Sequence, residues 1–308
     1  MNNRHEGPPR HDIPAGGHSG FTLVDDRQVH YLMWGRRAAP PVVCLHGGGQ
    51  TAYMWEELGA TLRDGGHFVV APDLPGHGDS DVDLAVAGTV SGLDRRALAT
   101  SVEDFLDHLG VDEAVFVGAS LGGITSLTVA AQSPSRVAAV ALVDIGHRLE
   151  DEGVRRIVEF MTRYESFATL DEAAVAVAEY LPNRKGPTTP ERLKRNLRQR
   201  TDGRWEWKHA LGRRLREAEG SAPEEYRPGD WRSLVAGMDA ELTRLECPVL
   251  VLRGSRSDVL SDAGAEETAK LIPNARLASI GGAGHHAAGD NPETTATLVG
   301  GFLAEIGW

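Results

Sequence analysis

The sequence predicts an α/β protein built on a doubly wound, mostly parallel sheet of eight strands. Short, mostly apolar runs recur at 41–45, 68–71, 114–117, 137–143, 249–252 and 275–280. Such runs are typical of strands that are buried on both faces, as in a parallel sheet covered by helices. A further pair of runs around Asp25 and Asp26 predicts an antiparallel hairpin that leads into the sheet.

The pattern changes in the middle of the chain. Residues 148–232 have apolar residues at helical spacing, as in Val154, Ile157, Val158 and Met161. This segment is therefore predicted to be a helical insertion that forms a cap. The flanking ranges 20–147 and 233–308 together form the predicted α/β core, and the polar range 1–19 is expected to be a flexible tail.

Composition excludes several classes of function. The 308 residues include 32 basic and 44 acidic ones, for a net charge of −12, and a polyanion is a poor nucleic-acid ligand. No apolar run is long enough to cross a membrane, and no apolar signal segment is visible, so a cytoplasmic protein is expected. Neither a P-loop nor a CxxC or HExxH pattern occurs, so no cofactor and no metal is predicted.

A nucleophile motif follows the run at 114–117. Gly118, Ser120 and Gly122 form G-x-S-x-G between a predicted strand and a predicted helix. In this context the sharp turn exposes the serine hydroxyl, and the glycines remove side chains that would collide around it. Ser120 is therefore the predicted nucleophile.

A serine hydroxyl needs a base to take its proton and an acid to orient that base. In hydrolases with this turn, the acid and then the histidine follow the serine along the chain. Asp258, in the loop after the run at 249–252, is the expected acid, and His285, after the run at 275–280, is the expected base. Asp144, at the end of the run at 137–143, is the alternative acid.

An oxyanion formed during the reaction needs two backbone N–H donors. Leu121, directly after the nucleophile, is predicted to supply one. The glycine-rich loop after 41–45 is predicted to supply the other, from Gly48 or, alternatively, from Gly49.

These motifs together resemble the α/β-hydrolase superfamily, in its cap-bearing group of esterases, lactonases and C–C bond hydrolases. The resemblance covers about residues 20–305 and rests on His46-Gly47-Gly48, the Asp-Leu-Pro-Gly-His-Gly-Asp-Ser run at 73–80, the Ser120 turn, the Arg-Gly-x-x-Ser-Asp run at 253–258, and Gly284-His285. It implies an α/β-hydrolase fold in which the insertion covers the active site.

The resemblance also narrows the reaction. Epoxide hydrolases and haloalkane dehalogenases have Asp where this chain has Ser120. The predicted function is therefore a serine hydrolase of carboxylic esters or lactones that acts on a small molecule through an acyl-enzyme. The alternatives are a C–C bond hydrolase of the meta-cleavage type, a non-hydrolytic lyase, or a ligand receptor of the same fold.

Residues of the substrate pocket are harder to identify from sequence. The hypothesis is that aromatic and sulfur-bearing side chains near the oxyanion loop and in the cap line an apolar pocket. Met54, Trp55, Trp205 and Trp207 are the candidates, together with His286 beside the predicted base.

Overall fold

An eight-stranded sheet forms the centre of the protein. The computed structural model describes residues 13–82, 94–209, 211–213 and 234–308, and the sheet lies within these ranges. In chain order the strands are β1 (His18–Val24), β2 (Arg27–Trp34), β3 (Pro41–Leu45), β4 (Phe68–Pro72), β5 (Ala114–Ala119), β6 (Val137–Val143), β7 (Leu197–Gln199), β8 (Trp205–Trp207), β9 (Val249–Gly254) and β10 (Ala275–Ile280).

The pairing of the strands confirms the predicted topology. The large sheet has the order β1-β2-β4-β3-β5-β6-β9-β10. From β4 to β10 every neighbouring pair is parallel, whereas β1 pairs with β2 and β2 with β4 in antiparallel fashion. The hairpin turn at Asp25 and Asp26 has φ of 48° and 62°, as a tight two-residue turn requires.

Helices lie on both faces of this sheet and in the segment between β6 and β9. In the described parts of the chain they are α1 (Glu56–Asp64), α2 (Arg95–Leu109), α3 (Leu121–Gln132), α4 (Asp151–Arg163), α5 (Leu170–Tyr180), α6 (Pro190–Leu193), α7 (Met238–Leu242), α8 (Asp262–Leu271), α9 (Ala287–Asp290) and α10 (Pro292–Ile306). Two 3₁₀ turns, Ala52–Trp55 and Pro134–Arg136, complete the set.

Strand β3 shows why its sequence is apolar throughout. Val43 and Leu45 belong to the hydrophobic core that includes α2 and α3. Val42 and Cys44 belong to the core on the opposite face, which includes α1 and α10. Because successive side chains point to opposite faces, a strand between two helical layers needs an apolar residue at every position.

Helix ends are fixed by local capping. The Asp94 side chain accepts hydrogen bonds from the N–H groups of Arg96 and Ala97 at the start of α2, which satisfies otherwise unpaired donors. At its other end Gly110 adopts a left-handed conformation with φ of 69°. Thr169 and Ser261 cap α5 and α8 in the same way as Asp94 caps α2.

The segment between β6 and β9 includes α4, α5 and α6 and also the small antiparallel sheet of β7 and β8. The sequence predicted helices here and missed this hairpin, whose strands are only three residues long. Residues 210 and 214–233 lie outside the described ranges, so the limits 148–232 of the insertion stay a prediction. Residues 1–12 of the expected tail also lie outside them, and β1 begins at His18, inside the range assigned to the tail.

The turn from β5 into α3 brings backbone segments very close together. A Cβ atom on Gly118 would lie 2.4 Å from the carbonyl oxygen of Gly122. A Cβ atom on Gly122 would lie 2.1 Å from the carbonyl oxygen of Leu45, at the end of β3. The glycines of the motif therefore allow α3 to begin directly against the end of the neighbouring strand.

We expect Gly122→Ala to destabilise the protein by about 3 kcal/mol, because the new methyl group meets backbone rather than a side chain that can move. Gly301→Ala is the matched control in α10, where a Cβ atom meets nothing within 4 Å. It should stabilise the protein by about 0.5–1 kcal/mol through better helix propensity. Urea unfolding of both variants tests this, and equal midpoints would contradict it.

Candidate active site

Ser120 occupies the strained turn between β5 and α3. Its backbone has φ of 48° and ψ of −116°, a conformation that non-glycine residues rarely adopt. Such strain persists only where the surrounding structure enforces it, and it is concentrated at functional sites. Here the turn places the Ser120 residue at the carboxyl edge of the sheet, where it lines a cavity.

His285 lies in the loop after β10 and is paired with Asp144. The Nδ1 atom of His285 is 2.9 Å from Oδ2 of Asp144. The Asp144 carboxylate is completely buried, and it also accepts hydrogen bonds from the N–H of Gly254 and the hydroxyl of Ser257, at 2.7 and 2.5 Å. Three donors thus satisfy a buried carboxylate that holds the imidazole in place.

Asp258, the acid expected from the sequence, contacts a different partner. Its Oδ2 is 3.0 Å from Nε of Arg156, and its Oδ1 is 3.1 Å from Nη2 of the same side chain. This bidentate ion pair joins the loop after β9 to α4 of the insertion. The structure therefore corrects the expectation that Asp258 pairs with His285: the alternative, Asp144, occupies that position.

Strand order explains the difference between the two carboxylates. β6 lies directly beside β5, whereas β9 is one strand further from Ser120. The loop that carries His285 reaches back over the end of β9, since a Cβ atom on Gly254 would lie 2.2 Å from the carbonyl oxygen of Gly284. The histidine is thereby brought to the end of β6, where Asp144 begins the next loop.

The glycine-rich loop after β3 borders the cavity that Ser120 lines. The N–H of Gly47 donates to Oε1 of Gln50 at 2.9 Å, so this group is already engaged. Gly48 and Gly49 line the same cavity as Ser120, and Leu121 is the first residue of α3. The roles of Gly48, or Gly49, and Leu121 as donors stay predictions.

Two buried histidines pack behind this loop. The Nδ1–H of His46 donates to the carbonyl of Gly47, and its Nε2 accepts from the N–H of Leu74, at 2.8 and 2.9 Å. The rings of His46 and His77 are 5.1 Å apart. Burial lowers the pKa of His46 below its usual range and that of His77 well below it. Both imidazoles are therefore neutral supports of the loop.

The cavity beside Ser120 has about 850 Å³ of empty space, its mouth included. Its walls are mostly apolar, and the insertion contributes much of them. Of the predicted pocket residues, Met54, Trp207 and His286 line it. The structure corrects the other two: Trp55 is fully buried in the core with α1 and α10, and Trp205 packs in the hydrophobic cluster of the insertion.

A polar chain of three side chains crosses the cavity wall, and the sequence analysis missed it. The Nε2 atom of Gln50 is 2.9 Å from Nδ1 of His286, and Nε2 of His286 is 3.4 Å from the hydroxyl of Tyr180. Burial lowers the pKa of His286 well below its usual range, and the charges of His285, Arg184 and Arg156 act in the same direction. No sequence pattern connects these residues, because each lies on a different segment of the chain.

Within the described residues, one group has metal-ligating side chains close together: His30, Asp73 and Asp79, with ligand atoms within 4.8 Å of one another. Protein groups already bind these atoms. Nδ1 of His30 is 2.6 Å from Asp73, and the ammonium of Lys208 is 2.6 Å from Asp79. The cluster holds together the loop after β4.

Comparison with known proteins places the chain in a family. The family model described as alpha/beta hydrolase fold matches residues 40–292. The chain therefore belongs to the α/β-hydrolase family, as its motifs predicted. In the described residues no helix is both long enough and apolar enough to span a membrane.

Several curated relatives are hydrolases. The chain is 28% identical to an esterase of Mycobacterium tuberculosis over 286 residues, which are 89% of this chain and 86% of the esterase. It is 30% identical to a 3-hydroxybutyrate-oligomer hydrolase of Cupriavidus necator, over 80% of each chain. It is also 26% identical to a 2-(acetamidomethylene)succinate hydrolase of Mesorhizobium japonicum, over 94% of this chain and 97% of that one.

Solved structures have the same fold. A crystal structure of an E-2-(acetamidomethylene)succinate hydrolase superposes with a TM-score of 0.78 at 22% identity, over 94% of this chain and 99% of that chain. The crystal structure of the M. tuberculosis esterase superposes with a TM-score of 0.70 at 24% identity, over 94% and 91% of the two chains.

We expect Asp144→Asn to slow labelling of Ser120 by a fluorophosphonate probe by roughly 10³-fold or more, because the histidine loses its oriented, charged partner. Asp258→Asn removes a carboxylate of the same kind from the ion pair with Arg156 and should change the labelling rate by no more than a few fold. Labelling rates of purified proteins check this. A collapse in Asp258→Asn alone would restore the acid that the sequence favoured.

The buried histidines predict a loss of stability in mild acid. Their pKa values in the folded protein lie below the unfolded value of about 6.5, so the unfolded chain binds more protons as pH falls. The free energy of unfolding therefore has its full value above pH ~6.5. Below that pH it decreases by up to roughly 1.4 kcal/mol per pH unit for each histidine. Urea unfolding at pH 7.5 and 5.5 measures this, and His77→Gln should reduce the difference. If His77→Gln loses as much stability between pH 7.5 and 5.5 as the wild type does, the effect does not come from His77.

Proposed function

We propose that the protein is a serine hydrolase that cleaves a carboxylic ester or lactone through an acyl-enzyme on Ser120. The observation that carries the proposal is the hydrogen bond between His285 and the buried carboxylate of Asp144, beside a serine held in a strained strand-to-helix turn. Ser120, His285 and Asp144 would then be the nucleophile, the base and the acid that orients the base. Ser120 and His285 line one cavity, which admits a substrate to both.

The hydrogen bonds assign a role to each nitrogen of His285. Because Nδ1 is bound to Asp144, Nε2 is the atom that takes the proton of the Ser120 hydroxyl as the oxygen attacks the carbonyl carbon. Asp144 stabilises the imidazolium that results. The leaving alcohol then receives the proton from Nε2, and a water molecule activated by the same nitrogen releases the acyl group.

The negative charge that develops on the carbonyl oxygen during the attack needs hydrogen-bond donors. We assign them to the N–H groups of Leu121 and Gly48, with Gly49 as the alternative to Gly48. Leu121 lies at the N-terminus of α3, where unpaired backbone donors and the helix dipole favour negative charge.

Two of the relatives support an ester as the bond that is cleaved. One of them is an esterase and another acts on 3-hydroxybutyrate oligomers, and this chain covers most of both. The apolar walls of the cavity suit an aliphatic or aromatic acyl group. C–C bond cleavage, a lyase reaction and ligand reception without turnover remain the alternatives, since the same three residues serve in each.

We expect Ser120→Ala to lower the hydrolysis of p-nitrophenyl butanoate by at least roughly 10³-fold, because the nucleophile is lost. Ser126→Ala is the matched control in α3, the helix that follows Ser120, where the hydroxyl donates to the carbonyl of Gly122. Its rate should stay within a few fold of wild type. Equal rates for wild type and Ser120→Ala would reject the proposed nucleophile.

A further inference from the structure

The polar chain of Gln50, His286 and Tyr180 has an orientation that the hydrogen bonds determine. Gln50 uses its oxygen to accept from the N–H of Gly47, so its amide nitrogen is the atom that faces His286. An amide nitrogen only donates. Nδ1 of His286 therefore accepts and carries no proton.

The proton of this neutral imidazole must then be on Nε2, the nitrogen that faces Tyr180. The Tyr180 oxygen, 3.4 Å away, is the acceptor of this long contact. The hydroxyl proton of Tyr180 is left to point elsewhere. Among the described residues, His286 is the hydrogen-bond partner of Tyr180, and the face of the tyrosine ring is occupied by Phe160, stacked at 4.0 Å.

Tyr180 and His286 both line the cavity that Ser120 and His285 also line. We call the Tyr180 hydroxyl and the Nε2–H of His286 that supports it the donor pair. Tyr180 is partly buried, and a hydroxyl proton that has no acceptor is costly in apolar surroundings. A ligand oxygen placed there would satisfy it, and an alkyl chain would not.

We propose that the Tyr180 hydroxyl, supported by Nε2–H of His286, binds a second, uncharged oxygen of the substrate, away from the carbonyl that Ser120 attacks. This deepens the proposed function and rests on it for the identity of the reacting group. The substrate class is an ester or lactone that also has an ether, ketone or hydroxyl oxygen in the part that occupies the cavity.

The charges around the pair favour a neutral oxygen over a carboxylate. Arg156 lies over the Tyr180 ring at 5.6 Å, but its guanidinium is bound to both oxygens of Asp258. Arg184, whose charge also acts on His286, is not among the residues that line the cavity, and no other Arg or Lys of the described residues lines it. An anion would therefore be desolvated there without a cation to pair with, which is unfavourable.

Binding measured without turnover tests the donor pair directly. The Ser120→Ala protein is titrated with 4-nitroanilides of matched acids: methoxyacetic against butanoic, 3-methoxypropanoic against pentanoic, and 4-methoxybutanoic against hexanoic. Each pair differs by one oxygen in place of one methylene. Quenching of tryptophan fluorescence, with Trp207 in the cavity wall, reports the affinity.

In at least one pair, adding Tyr180→Phe to Ser120→Ala should lower the affinity of the methoxy compound relative to its alkyl partner by about tenfold, equal to about 1.4 kcal/mol. Tyr164→Phe is the matched control, since Tyr164 is a tyrosine of the same insertion that stacks on Phe167. It should leave the ratio at the value of Ser120→Ala.

An unchanged ratio in all three pairs would overturn the donor pair, whatever the catalytic result. Tighter binding of the succinic-acid anilide than of every methoxy compound would overturn the neutral-oxygen class. The ester assay with Ser120→Ala is a separate measurement. Equal ester hydrolysis by wild type and Ser120→Ala, together with a tenfold change in the binding ratio, would reject the proposed reaction and would still support the donor pair.

Discussion

The close contact between Gly122 and the carbonyl of Leu45 is the constraint on which the candidate site depends. α3 starts against the end of β3, and the turn at Ser120 has a positive φ that places the half-buried serine at the edge of the sheet. A second close approach, of Gly254 to Gly284, lets the histidine loop cross the end of β9. Backbone packing at these points therefore brings segments far apart in sequence to one cavity.

The two candidate carboxylates have separate tasks in this arrangement. Asp144 is fully buried and holds His285, so its environment suits a group that orients an imidazole. Asp258 is partly exposed and fastens Arg156 of the insertion to the core, and Arg156 in turn lies over Tyr180. The acid that the sequence favoured thus contributes to the cavity wall through the insertion.

Much of the site could be predicted because its residues have local signatures. Ser120 is flanked by the glycines that its turn requires, and His285 follows the last strand. Met54, Trp207 and His286 were placed correctly by their positions after the oxyanion loop, in the insertion and beside the base. Trp55 and Trp205 were misplaced. Trp55, directly after Met54, is buried in the core with α1 and α10, and Trp205 packs in the cluster of the insertion and is not among the residues that line the cavity. The β7–β8 hairpin was missed because strands of three residues are too short to show a periodic pattern.

The fold class and the positions of the candidate nucleophile and base follow from the amino-acid sequence alone, since buried strands and a strained turn require particular residue types at fixed spacing. Which carboxylate contacts the histidine depends on the three-dimensional fold, because both aspartates follow strands that end at the same edge of the sheet, and the order of those strands separates them. The contacts among Gln50, His286 and Tyr180 likewise form only in the folded chain, because they link three segments that are distant in sequence. Long-range pairing of single side chains leaves no periodicity in a sequence, so it is visible only once the chain is folded.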